Sequence, residues 1–166
     1  MTTRLSKCAL LAAIAFFYSL VVFNNLTDYE SNHQFVQHVL AMDTTFPGNH
    51  GMWRAIPSAR VQTLFYVSII AWELLTATLC WWALARLLKA RTASATIFQT
   101  AKSLAISALT FGCLMWFVAF LSVGAEWFLM WQSRTWNGQE AAFRMFAILG
   151  IVLIYLAMPE PELASS

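Results

Sequence analysis

Glu73 stands in "AWELLTA", residues 71–77, inside an apolar run that extends from residue 61 to residue 86. A carboxylic acid in such a place can hold a proton, make hydrogen bonds or meet a cation, and every one of these uses requires it to turn away from lipid. A charge at the bilayer centre costs about 2.5–3.5 kcal/mol on insertion scales, so an inward position with a partner is expected. Tyr66 seven residues before, Thr76 three after and Cys80 seven after share its helix face, a modestly polar stripe, and Trp72 is adjacent. Three readings stay open for Glu73: a neutral acid that ties its helix to a neighbour, a contact with a partner subunit, and a proton or cation relay.

Other candidate groups lie nearer the ends of the apolar windows. Glu126, in "SVGAEWFLMW", shares a face with Ser122, and Arg144 falls about one turn into the last window. Arginine can clamp a carboxylate through two parallel hydrogen bonds, so a structural Glu126–Arg144 pair is expected, with Arg60 as a competing partner. His33, His38 and His50 share the stretch 25–60 with Asp28, Glu30 and Asp43. A metal site needs its ligands to converge. His33 and His38 are five apart, about 140 degrees around a helix, so surface or partner contact competes with metal binding. No apolar window contains a His, which rules out a bis-histidine haem held by this chain alone. Gly-x-Ser-x-Gly, His-Glu-x-x-His and phosphate-cradling glycine loops are all missing. A protein that is no enzyme and carries no cofactor or metal is expected.

Composition decides what holds these residues. With 60% hydrophobic and 11% charged residues among 166, a soluble domain would lack the polar surface to cover itself. A spanning helix needs about 20 mainly apolar residues, and four windows supply them: residues 5–24, 61–85, 103–128 and 141–158. The expected fold is an all-α membrane protein, a four-transmembrane-helix bundle forming one domain over residues 1–158, with a short tail at 159–166. Arg4 and Lys7 precede the first window as in a signal peptide, but no small-x-small cleavage site follows it, so this segment is expected to remain as a span.

Lys and Arg favour the cytoplasmic side of short loops. Residues 86–102 contain Arg86, Lys89, Arg91 and Lys102 without an acid, and the first residues add Arg4 and Lys7. Both termini are therefore expected in the cytoplasm, with a solvated, disordered acidic tail, and residues 25–60 outside. A net charge of +2 points to no nucleic-acid partner. Within the outer loop, "SNHQFVQHVLAM" (31–42) places Phe35, Val36, Val39, Leu40 and Met42 on one side at about 100 degrees per residue. A short amphipathic helix capped by Ser31 or Asn32 should order this loop. Cys8, Cys80 and Cys113 all fall in the windows, so no disulfide framework is implied. Small residues, Ala9, Ala12 and Ala13 in the first window and Ser107, Ala108 and Gly112 in the third, point to close packing of those two spans.

The string "NNLTDYESNHQFVQHVLAMDTTFPGNHGMWRAI", followed by "FYVSIIAWE", resembles a bacterial family of predicted small integral membrane proteins of unknown function. The resemblance covers nearly the whole chain and implies a four-helix topology in the bacterial inner membrane. It marks Asn32, Asp43, Trp53, Arg54 and Glu73 as signature positions. The layout is also similar to claudin-like proteins, though the paired loop cysteines are absent. Three functions remain: an accessory or scaffold subunit of a larger membrane complex, which is favoured; a homo-oligomeric ion or proton-coupled channel built around Glu73; and a lipid- or quinone-binding protein using Trp72 and Trp116. The expected partners are membrane lipids, other membrane subunits and, in the channel reading, further copies of the chain.

Overall fold

A computed structural model describes residues 1–160. Four helical segments are long and apolar enough to cross a bilayer: Thr2–Thr27, Ala59–Ala90, Ala95–Trp127 and Gln139–Ala157. No strand occurs among the described residues. The fold is the all-α, four-span bundle that hydropathy requires, with a helical cap over one end.

The first span is α1 (Thr2–Thr27), and after Asp28 the chain enters α2 (Tyr29–Ala41) across the end of the bundle. The cap of α2 is Asp28 rather than Ser31 or Asn32, and its carboxylate accepts a bond from Ser31 Oγ at 2.8 Å instead of holding a backbone N–H. Only Asp28 separates α1 from α2, so the polar residues Asn24, Asn25 and Thr27 are helical and α1 outruns the 5–24 window. Met42 closes α2 in the left-handed conformation, φ 54°, which turns the chain into a loop with a 3-10 turn at Met52–Arg54.

The second span, α3 (Ala59–Ala90), has 32 residues and at 1.5 Å per residue is about 48 Å long. That exceeds a hydrocarbon core of about 30 Å, so α3 projects beyond it and carries Arg86 and Lys89 clear. The third span has three parts. Ser94 caps α4 (Ala95–Ala101) by accepting the Ile97 N–H, α5 (Ser103–Leu114) follows Lys102, and Met115–Trp127 continues as a π-helix. Its i→i+5 bonding shows where Phe128 N–H donates to the Val123 carbonyl at 2.9 Å. The last span is α6 (Gln139–Ala157).

Two apolar cores result. One fills the half of the bundle with both chain ends and contains Leu11, Tyr18, Leu87, Phe98, Leu109 and Leu156; the other lies beneath the cap around Val22, Val36, Leu40, Met42, Ile70 and Phe128. The first span packs most extensively on α3 rather than on the third span. What the small residue Gly112 admits is a side chain from α1: a Cβ there would lie 2.8 Å from the Tyr18 hydroxyl. The expectation of a solvated tail fails at Glu160, whose side chain is 1% exposed and lies between Lys7 and Lys102. The rest of that tail, residues 161–166, lies outside the described residues.

Candidate binding crevice beneath the cap

The polar stripe predicted around Glu73 does turn inward, and it meets a partner that sequence reasoning missed. Glu73 is 3% exposed, and its Oε2 accepts a bond from Asn25 Nδ2 of α1 at 2.6 Å. Asn25 Oδ1 in turn accepts from Asn32 Nδ2 of α2 at 2.7 Å and from the Tyr66 hydroxyl of α3 at 3.3 Å. One network thus joins the first span, the second span and the cap helix. Glu73 Oε1 takes no bond from any described residue, and Glu73 lines a cavity of about 240 Å³ together with Asn25, Asn32, Tyr66 and Trp116.

A second cavity of about 220 Å³ lies alongside, between α2, α3 and the π-helical segment, walled by Val39, Phe65, Trp72, Val123, Phe128 and Met130. Phe35, Val36, Ile69 and Phe120 line both, so the two adjoin across these shared walls as neighbouring compartments of a partly open crevice, an apolar arm and a polar corner. Each compartment alone is smaller than the roughly 300–1,000 Å³ typical of small-molecule sites, and the pair reaches that range only when taken together. The π-helix shapes the apolar arm, because its wider ladder re-registers Val118, Ala119, Val123 and Gly124 along the wall.

Among the predicted site residues, Trp72 donates from Nε1 to the Phe111 carbonyl at 3.1 Å while its ring lines the crevice. Thr76 is buried but returns its hydroxyl to the Trp72 carbonyl at 2.8 Å, so it is a packing residue and no part of the network. Trp116 donates to the Tyr18 hydroxyl at 2.9 Å. The Glu126–Arg144 clamp is not formed: no ion pair joins them among the described residues, and both side chains are exposed. Glu126 sits near the end of the π-helix, where the usual 100-degree step no longer holds, and its turn contributes instead a backbone carbonyl to Arg54 Nη1 at 3.5 Å.

Asp43, Trp53 and Arg54, expected from the resemblance as signature positions, lie in the cap. Asp43 pairs with His38 Nδ1 at 2.8 Å, and His38 stacks on Trp136 at a ring separation of 4.6 Å. Arg54 lies over the rings of both Trp53 and Trp127. His33 instead meets Thr63 at 3.0 Å and the Tyr66 ring, so the two histidines belong to separate contacts. No cluster of three metal-ligating side chains occurs among the described residues. Thr44 to Ser133 and the Phe46 N–H to Gln132 stitch the loop after α2 to the 130–136 turn. Asn25 was the residue the sequence concealed; the available signal was Asn25 and Asn32 seven apart, one amide in each helix flanking Asp28.

Against known proteins, residues 3–159 match a family described as "Predicted small integral membrane protein (DUF2165)". No curated protein and no solved structure matches the chain.

Proposed function

Since the chain belongs to the DUF2165 family of predicted small integral membrane proteins and is a multi-pass membrane protein, we propose that it binds one amphiphilic membrane molecule beneath its cap. The occupant carries an isoprenoid or acyl chain and a hydroxyl or carbonyl head. The observation that supports this is the joining of an apolar arm to a polar corner in which Glu73 Oε1 has no partner among the described residues. An apolar wall with a few convergent polar groups is the usual anatomy of a ligand site. The chain lies against Trp72 and Val123, and the head bonds to Glu73 or Asn25. In this reading the protein holds its ligand without transforming it, the basic end faces the cytoplasm of a bacterial inner membrane, and the cap lies outside.

The test is mild extraction from native membranes followed by mass spectrometry of retained small molecules, for the wild type and for Val36→Phe. Val36 lines both cavities, so a phenyl ring fills the crevice from its shared wall. Wild-type protein should retain an amphiphile that the variant loses; equal retention by both would refute the reading.

A second reading, accessory subunit of a larger complex, is favoured by the exposed aromatic surface at the capped end, where Trp53 and Trp127 stand around Arg54 and Trp131 packs edge-on against Phe46. Its mark is copurification of unlike chains in fixed proportion. The channel reading draws less support, because the core on the far side of Glu73 is filled by Leu11, Ala77, Ala83, Leu87 and Leu109.

A further inference from the structure

The opposite end of the bundle holds a cluster of charges that the crevice does not use. Arg4 and Lys7 on α1 and Lys102 between α4 and α5 have no more than 1% exposure each. All three converge on Glu160: Lys7 Nζ pairs with Oε1, Lys102 Nζ reaches the same oxygen at 3.3 Å, and Arg4 Nε stands 3.9 Å from Oε2. The two ammonium groups also share the Met158 carbonyl, at 2.9 and 2.6 Å. Arg4 Nη1 donates to the carbonyls of Arg91 and Ala93, while its Nη2 is buried with no hydrogen-bond partner among the described residues.

Three buried cations therefore face one carboxylate, and a guanidinium nitrogen beside it is unused. Removing charge from water is strongly unfavourable unless it is paired. A carboxylate has two oxygens to offer; a phosphate group has more, and guanidinium with ammonium groups is the usual donor set for it. We propose that Arg4, Lys7 and Lys102 form a binding site for a phosphate group, in which Glu160 sits as a displaceable stand-in supplied by the chain itself. The site lies where the spans end, the depth at which a phospholipid carries its phosphate, and basic pockets between spans are suited to anionic head groups. Glu160 follows α6 by only three residues, so it acts as a tethered competitor. Short tethers give effective concentrations in the millimolar range, which lowers the apparent affinity of any free anion.

The experiment uses the full chain in phosphatidylcholine nanodiscs, with phosphatidylglycerol or inorganic phosphate as the probe. Glu160→Gln removes the competing charge and should tighten retention of phosphatidylglycerol, read by native mass spectrometry, by about tenfold. Adding Arg4→Gln to that variant should reverse the gain. If inorganic phosphate alone protects the Glu160→Gln protein against thermal unfolding and phosphatidylglycerol adds nothing, the site holds with a soluble anion as its occupant. A folded Glu160→Gln protein that responds to neither probe overturns the proposal. Should that variant not fold, the wild type decides: either probe should speed amide exchange at Met158 and Glu160 as the stand-in leaves, and unchanged exchange overturns the proposal equally.

Discussion

Replacing Asn25 with leucine should destabilise the bundle far more than replacing the buried acid it serves. Asn25 donates to Glu73 and accepts from Asn32 and Tyr66, so Asn25→Leu, a substitution of similar branched shape, cuts the links to Glu73 and Asn32 and leaves Tyr66 only its bond to the Asn25 backbone carbonyl. Polar links between spans average about 0.6 kcal/mol and reach about 1.7, so losing the two short bonds costs roughly 1–3 kcal/mol. Glu73→Gln keeps an oxygen that can accept from Asn25 Nδ2, and its cost should stay near 0.5 kcal/mol or less. Unfolding of the purified protein in mixed detergent micelles, titrated with a denaturing detergent, reads both variants on one scale. An Asn25→Leu protein as stable as the wild type, or a Glu73→Gln protein that fails to fold, would refute the assignment of Asn25 as the hub and of Glu73 as an acceptor.

Gly112→Ala should destabilise by about 1–3 kcal/mol in the same assay, because its Cβ would stand 2.8 Å from a Tyr18 hydroxyl that Trp116 holds in place; Gly150→Ala, with open space around it, should not. Acid should loosen the basic end. Burial pushes the Glu160 carboxyl up, but the hydrogen bond and charge of Lys7 and then those of Lys102 outweigh it and hold it below the ordinary carboxylate range. With Arg4, Lys7 and Lys102 facing it, and Arg91, Cys8 and Tyr155 close by, Glu160 contributes stability that is complete above about pH 4.3. That contribution is lost as the pH falls through its lowered folded value, so the melting temperature of the wild type should drop there and that of Glu160→Gln should change less. Asp43→Asn weakens the pairing with His38 and should raise amide exchange in residues 38–46 while leaving the four spans protected.

Hydropathy alone made the four spans legible, since lipid demands that each be a continuous apolar helix. The amphipathic cap helix was legible too, through the spacing of Phe35, Val36, Val39 and Leu40. What escaped were features that depend on three dimensions. Asn25 reads as a loop residue beside "NLTDYE" until α1 is seen to continue past it. The π-helix leaves no mark in composition, and Glu126 lies within it, exposed and not ion-paired with Arg144 among the described residues. Arg4, Lys7 and Lys102 look like ordinary flanking charges, and only the return of Glu160 from the far end of the chain shows that they are buried.

The claim that a membrane amphiphile enters beneath the cap can be tested most directly by photocrosslinking. A fatty-chain diazirine, incorporated in nanodiscs with the full-length protein, labels whatever residues its chain touches. Adducts should concentrate on the crevice walls, at Ile69, Trp72, Val118 and Val123, and should fall away in the Val36→Phe variant. Labelling that is as strong on the exposed face of α6, at Phe143, Ile151 and Ile154, and unchanged in the variant would contradict the account, because the crevice would then be no more than another stretch of lipid-facing surface.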